Sequence, residues 1–212
     1  MNTCIVIPMK DPRQSKQRLS AVLDSSHRED LALSLFKETL DFLRRHFPDY
    51  PVLVVTSSAC IQEIAAGFDA HVLMQTQPDG LNGAANLAAQ WCCSQGFDTQ
   101  LLIPADIAVL DEQEIEILLS HRRSTPSVVI CPSSDDGTNA LMTSPPDVVP
   151  FCFGIRSSRA HLAAALARGV HCTQLQLKNL AFDVDNPDDL EHLASLPNRV
   201  PAQEVLSLWN SQ

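Results

Sequence analysis

Four cations packed into nine residues, and acids that follow apolar runs far downstream, are the parts of this sequence that could do chemistry. Lys10, Arg13, Lys16 and Arg18 come directly after the apolar run Thr3–Pro8, with Asp11 the sole acid among them. A loop so charged at the end of a strand can gather polyphosphate oxygens, because arginine offers a forked pair of hydrogen bonds and lysine a mobile point charge. The competing reading is a solvated basic loop, and attachment to the first strand favours the ligand. The loop matches neither GxxxxGK[ST] nor GxGxxG, which disfavours P-loop ATPases and dinucleotide dehydrogenases.

Asp106 ends the apolar sequence Ile-Pro-Ala-Asp. It can hold a divalent cation beside a triphosphate, or simply cap a turn. In Phe-Asp-Val-Asp-Asn-Pro-Asp-Asp-Leu, Asp183 and Asp185 alternate, so on an extended segment they project to one side and repel unless a cation joins them. Asp185 or Asn186 as N-cap, Pro187 at the first helical position and Asp188 and Asp189 in the first turn describe a helix start. That reading explains Asp188 and Asp189 and leaves Asp183 and Asp185 for metal.

Two further segments carry polar groups at turns. In Asp136–Leu141, Gly137 permits an unusual backbone turn, and Thr138 and Asn139 offer hydrogen-bonding groups. In Phe151–Leu162, Gly154 allows close backbone approach, Ser157 begins a helix whose free N–H groups suit an anion, and Arg156 and Arg159 add charge. A plain turn or helix cap is the alternative for each. His161 falls inside that helix and reads as packed or partly exposed. No Ser-His-Asp or Cys-His pairing is legible, so nothing supports a covalent-nucleophile hydrolase.

These residues need a scaffold, and the pattern alternates between strands and helices. Strands are expected at Thr3–Pro8, Val52–Thr56, Ala70–Met74, Gln100–Pro104, Val128–Cys131 and Val170–Leu177, with a short one at Asn139–Met142. Helices are expected from about Arg28 to Phe47, Ser58 to Gly67, Asn82 to Gln95, Asp111 to Arg122, Ser157 or Ser158 to Arg168, and Pro187 to Leu196. Phe36, Leu40, Leu43 and Phe47 share one helix face. Apolar strands alternating with helices predict an α/β fold with a mostly parallel central sheet covered on both sides. Ligands in such folds sit at the carboxyl ends of the strands, which selects Lys10–Arg18, Gly80–Asn82, Asp106, Thr138–Asn139 and Asp183–Asp185.

Composition sets bounds on the rest. The chain of 212 residues carries 25 acids and 15 Lys plus Arg, a formal charge of −10, so it is a poor general binder of nucleic acid. The segment Lys10–Arg18 carries a net +3 against −13 elsewhere, which suggests a small anionic ligand. At 45% apolar residues a real core is affordable, and no apolar run approaches the ~20 residues of a membrane span. The N-terminus does not read as a signal peptide. Seven cysteines without a CxxC pair argue against structural zinc, and read as reduced thiols, with Cys4, Cys131 and Cys172 in apolar strands. The expected setting is the cytoplasm. One domain spans residues 1–197, with a short appendage at 198–212.

Taken in order, VIPMK…SKQRLS, DGLNGAANLA, IPAD, DGTNAL, FGIRSS…H and FDVDNPDDL resemble the guanylyltransferases of coenzyme F-420 biosynthesis, a branch of the glycosyltransferase-A-like nucleotidyltransferases. The resemblance spans about Thr3 to Leu190. It implies a Rossmann-like α/β fold, Mg²⁺ as cofactor, and transfer of GMP from GTP to 2-phospho-L-lactate, phosphoenolpyruvate or 3-phospho-D-glycerate, with the product passing to the next enzyme of the pathway. Carried over motif by motif, the magnesium carboxylates fall on Asp106, Asp183 and Asp185. The acceptor-binding positions fall on Thr138, Gly154 and Ser157. The nucleotide loop runs from Pro8 to Arg18, with Lys10, Lys16 and Arg18 neutralising the triphosphate and Leu81 and Asn82 helping to hold the nucleoside.

Two departures stand out. Ala108 replaces a proline usual in the family, and Ile155-Arg156-Ser157-Ser158 replaces a run of small residues ending in Ser-Phe. Arg156 either adds a donor for a more polar acid or faces water. The other readings are a nucleotidyltransferase acting on a sugar phosphate, polyol phosphate or molybdopterin, and a non-catalytic nucleotide-binding regulator on the same scaffold. The oligomeric state is left open.

Overall fold

The structure is a computed structural model that describes residues 2–77 and 79–196. The expected appendage at 198–212, and with it the domain boundary, lies outside the described residues. Seven strands are described: β1 (Thr3–Pro8), β2 (Val52–Thr56), β3 (His71–Met74), β4 (Thr99–Leu102), β5 (Ser127–Pro132), β6 (Thr138–Ser144) and β7 (His171–Gln174). They form one sheet in the order β3-β2-β1-β4-β6-β5-β7. Every neighbouring pair is parallel except those of β6, which runs antiparallel to both β4 and β5.

Alternation along β1 explains why both faces are covered. Ile5 and Ile7 point into a core built with Phe36, Leu40 and Leu43 of α1 (Ser25–His46), Ile61 and Ala65 of α2 (Ala59–Ala66) and Ile115 and Leu118 of α4 (Glu112–Ser120). Cys4 and Val6 point the other way, onto Ala84, Ala85 and Ala88 of α3 (Gly80–Ser94) and Ala165 of α5 (Ser157–Ala167). The alanines let α3 lie close to the sheet, so its N-terminal end meets the strand ends. A third cluster joins Leu190 and Leu193 of α6 (Pro187–Ser195) to Leu19, Leu23, Leu31 and Leu35. Burying a leucine such as Leu19 stabilises by about 1.5–3 kcal/mol, and here it also anchors the basic loop.

Several boundaries differ from the sequence reading. The segment between β1 and α1 contains two 3-10 turns, Pro12–Gln14 and Gln17–Leu19, and α1, expected from about Arg28, starts at Ser25 because the Asp24 carboxylate accepts from the His27 N–H. The short strand expected at Asn139–Met142 is a seven-residue strand buried along its length. Its polar ends obscure it in sequence, but Thr143 donates to the Pro146 carbonyl and Ser144 pairs with Thr99. Ser157 and Ser158 do not cap α5. Arg156 holds the cap position in a left-handed backbone, and the two serine hydroxyls bond to Thr138 and to the Asp136 carbonyl.

The unusual backbone expected at Gly137 falls instead on Asp136 (φ 67°), while a Cβ at Gly137 would lie 2.4 Å from Ser133 Oγ and displace that side chain from Asp135. Cys4 and Cys131 are buried as expected, while Cys172 is only half-buried; all seven cysteines are free. Among the described residues no helix is long and apolar enough to cross a membrane.

Candidate active site

Asp106 and Asp183 lie 77 positions apart and meet through backbone pairing. Ile107 and Asp183 form an isolated antiparallel bridge, flanked by bonds from the Ala108 N–H to Phe182 O (3.0 Å) and from the Val184 N–H to Asp106 O (3.3 Å). Ala108 and Val184 are both fully buried in the cluster under α6, which holds the two segments together. The start of α6 then fixes Asp185. Asn186 and Asp189 form a capping box, and Asp189 Oδ2 accepts from the N–H groups of Asp185 and Asn186. Asp189 is thus a helix-start residue, as its position after Pro187 predicts.

The basic loop reaches the same place from the opposite side. Lys16 has a left-handed backbone (φ 53°) and a side chain only 3% exposed. Its Nζ lies 2.7 Å from Asp106 Oδ2 and 3.5 Å from Asp185 Oδ1. Burial opposes its charge, but Asp106, Asp185 and Asp183 outweigh that cost and raise its pKa above the ordinary lysine value. Arg18 Nη1 bonds Asp185 Oδ2 at 3.1 Å, with an exposed side chain. Arg13 is taken up by Asp11 at 2.7 Å. Lys10 is exposed at the strand end.

Lys10 and Lys16 of the loop, with Asp106 and Asp185, border a cavity of about 400 Å³, a size suited to a small-molecule ligand, and neither Arg13 nor Arg18 lines it. Pro8, Lys10, Lys16, Leu81, Asp106 and Asp185 all line it. Sequence reasoning did not single out Ser57 and Gln75, which line it too. They stand just past β2 and β3, where the strand-end rule applied to every strand would have found them.

Asp183 sits beside the cavity rather than in its lining. It accepts from Asn139 Nδ2 at 3.0 Å. Burial first, then the charges of Asp106 and Asp185, push its carboxyl up to about 6, against the opposing pull of Asn139 and Lys16. A hard cation would relieve this repulsion, and an all-carboxylate oxygen set suits magnesium chemically. As placed, the acids have the Lys16 ammonium among them, and among the described residues no three Asp, Glu, His or Cys side chains form a ready metal cluster.

The positions matched to the acceptor form a second cluster. Ser157 Oγ donates to Thr138 Oγ1 at 2.9 Å, and the Ser157 N–H donates to the Gly154 carbonyl at 3.2 Å. Gly154 has φ +140°, a conformation that side chains rarely adopt. Asn139, next to Thr138, ties this cluster to Asp183. Asn82 does not line the cavity. Its Nδ2 donates to Phe153 O (3.0 Å) and its Oδ1 accepts from the Phe153 N–H (2.7 Å), so it clamps the loop before Gly154 to the start of α3. Arg156 is exposed. His161, which the sequence left as packed or partly exposed, is fully buried and hydrogen-bonded to this cluster.

Comparison with known proteins shows the family and the fold. The family model described as guanylyl transferase CofC like matches residues 3–207. The chain is 51% identical over 208 residues, 98% of either sequence, to the 3-phospho-D-glycerate guanylyltransferase of Colwellia psychrerythraea. It is 36% identical to the phosphoenolpyruvate guanylyltransferase of Rubrobacter xylanophilus, covering 91% of this chain and 94% of that protein. It is 30% identical to the 2-phospho-L-lactate guanylyltransferase of Methanothermobacter thermautotrophicus, covering 97% and 90%. The fold is shared with a protein from Desulfovibrio desulfuricans G20 assigned as a nucleotide-diphospho-sugar transferase (TM-score 0.76, 18% identity, covering 100% of this chain and 98% of that one). A cytidylyltransferase from Leptospira borgpetersenii shares it as well (TM-score 0.62, 12% identity, covering 100% and 94%).

Proposed function

We infer from its place among the CofC-like guanylyl transferases, the family to which the chain belongs, that this nucleotidyltransferase moves GMP from GTP to a small phosphorylated carboxylic acid in coenzyme F-420 biosynthesis. The observation that carries this reading is the convergence of the basic loop and two aspartates from distant segments on one cavity, with Asp183 beside them. The relative at 51% identity makes 3-phospho-D-glycerate the acceptor we propose, ahead of phosphoenolpyruvate and 2-phospho-L-lactate.

The acceptor phosphate is anionic near neutral pH and needs no strong base. One of its oxygens bonds to the α-phosphorus of GTP, the bond from that phosphorus to the bridging oxygen breaks, and pyrophosphate leaves with the electron pair. The work of the protein is to bring anions together and stabilise their charge. Lys10, Lys16 and Arg18 would neutralise the triphosphate and the departing pyrophosphate. Pro8 and Leu81 would hold the nucleoside end, while Asn82, expected there too, would fix the loop that presents Gly154 to the acid. Thr138, Gly154 and Ser157 would hold the phosphorylated acid. Asp106, Asp183 and Asp185 would hold Mg²⁺, which when bound neutralises and polarises phosphate oxygens. For that, Lys16 must leave the carboxylates and turn to the nucleotide.

A pyrophosphate-release screen tests the reading. GTP, CTP and UTP are each combined with the three acids, with and without EDTA, and coupled to the next enzyme to draw off an unstable product. Release is expected with GTP and 3-phospho-D-glycerate and is abolished by EDTA. Silence with GTP and all three acids would overturn the activity, and release that survives EDTA would overturn the metal.

A further inference from the structure

The hydrogen bonds behind Thr138 have a direction that can be worked out atom by atom. A backbone N–H can only donate, and that of Cys152 lies 2.9 Å from His161 Nε2. This nitrogen therefore presents a lone pair, and a neutral ring must carry its proton on Nδ1. Burial keeps the ring neutral, lowering its pKa to about 4. Phe153 packs edge-on against it with ring centres 4.8 Å apart, which restricts its orientation.

Nδ1 lies 3.2 Å from Thr138 Oγ1, so the imidazole donates to that oxygen, with the Ser157 backbone carbonyl also drawing on the ring's proton. Ser157 Oγ donates to the same atom at 2.9 Å. With Ser157 Oγ as the donor, Thr138 Oγ1 accepts twice, and its own proton makes no hydrogen bond among the described residues. A hydroxyl with a free lone pair could turn either that pair or its proton towards an anion. This one has a single role left.

We propose that His161 is a positioning residue for the acceptor substrate: by filling a lone pair of Thr138 Oγ1, it commits the Thr138 hydroxyl to donate to an oxygen of the phosphorylated acid. The proposal rests on the reading that Thr138 contacts that acid. It names a further determinant of acid binding, one that never touches the substrate. It also explains why a histidine is buried in α5 among hydroxyls where an apolar side chain would pack.

Steady-state kinetics with GTP and 3-phospho-D-glycerate separate the possibilities. His161→Gln reaches towards the Cys152 N–H and loses the donor to Thr138. His161→Asn keeps an amide donor near the Nδ1 position. We expect His161→Gln to raise the KM for the acid about tenfold, the cost of one hydrogen bond, with the KM for GTP unchanged. His161→Asn should recover most of that loss. Thr138→Val should raise the same KM, and adding His161→Gln to it should cost nothing more.

If Thr138→Val leaves the KM for the acid unchanged, the acceptor site itself is misplaced. If Thr138→Val raises it while His161→Gln does not, or if Asn and Gln are equally impaired, the positioning role is wrong. Nitrogen-15 NMR of the wild-type imidazole gives a readout that needs no variant. A proton on Nδ1 is expected, and a proton on Nε2 overturns the inference.

Discussion

Lys16 Nζ stands 2.7 Å from Asp106 Oδ2, joining two residues 90 positions apart at a lysine side chain that is only 3% exposed. A charge so buried is tolerated because Asp106, Asp185 and Asp183 surround it, and they in turn would repel one another without it. The pairing makes Lys16 the internal counter-ion of the acid cluster.

Removing that counter-ion should cost both stability and nucleotide affinity. Lys16→Met is expected to destabilise the fold by about 1–2 kcal/mol, less than the scale for a fully buried pair, because Asp106 and Asp185 remain 34% and 40% exposed to water. GTP affinity measured by calorimetry should fall at least tenfold. Millimolar Mg²⁺ should raise the variant's melting temperature more than the wild type's, because the cation replaces the missing ammonium. An unchanged melting temperature and unchanged GTP affinity would contradict this role.

The carboxylates should behave differently from the lysine. Asp183→Asn removes a charge that its neighbours repel, and Asp185→Asn loses ion pairs to Lys16 and Arg18 only at a site 40% exposed, so the fold should survive both. Turnover should fall about 10²–10³-fold, as expected when a charge-stabilising group is lost from a reaction centre. Circular dichroism and pyrophosphate release read the two effects separately. Near-wild-type turnover in both variants would remove the metal assignment.

Asn82 couples the two halves of the site through its two hydrogen bonds to the Phe153 backbone. Asn82→Leu frees the loop that presents Gly154, so the KM for the phosphorylated acid should rise about tenfold or more, since two hydrogen bonds are lost. A rise confined to the KM for GTP would show instead that Asn82 serves only the nucleoside.

His161 also sets a pH dependence of stability. Its pKa falls from the usual 6.5 to about 4 on burial, so the unfolded chain takes up a proton that the folded chain refuses. Above pH 6.5 both states are neutral and stability is intact. As pH falls from 6.5 towards 4, up to about 3 kcal/mol is lost. Denaturant titrations across that range should show a shallower loss in His161→Asn, and identical slopes in the two proteins would show that His161 is not the group responsible.

The sequence by itself determined the scaffold and most of the cast. Apolar alternation in Thr3–Pro8, the helical stripe from Phe36 to Phe47 and the Pro187 helix start are local features, and local features leave local signatures. The strand-end rule was enough to select Lys10–Arg18, Asp106 and Asp183–Asp185, because the carboxyl ends of parallel strands converge in this fold. Tertiary structure decided what each group does there. That Lys16 rests on Asp106, that Asn82 clamps Phe153, and that β6 is a full central strand all depend on partners distant in sequence. His161 shows the limit most clearly. Its place in α5 leaves it packed or partly exposed, while its proton is placed by a Cys152 N–H delivered by a separate loop. A side chain's burial can be read from periodicity, but the direction of its hydrogen bonds is fixed by atoms that only the folded chain brings within 3 Å or so.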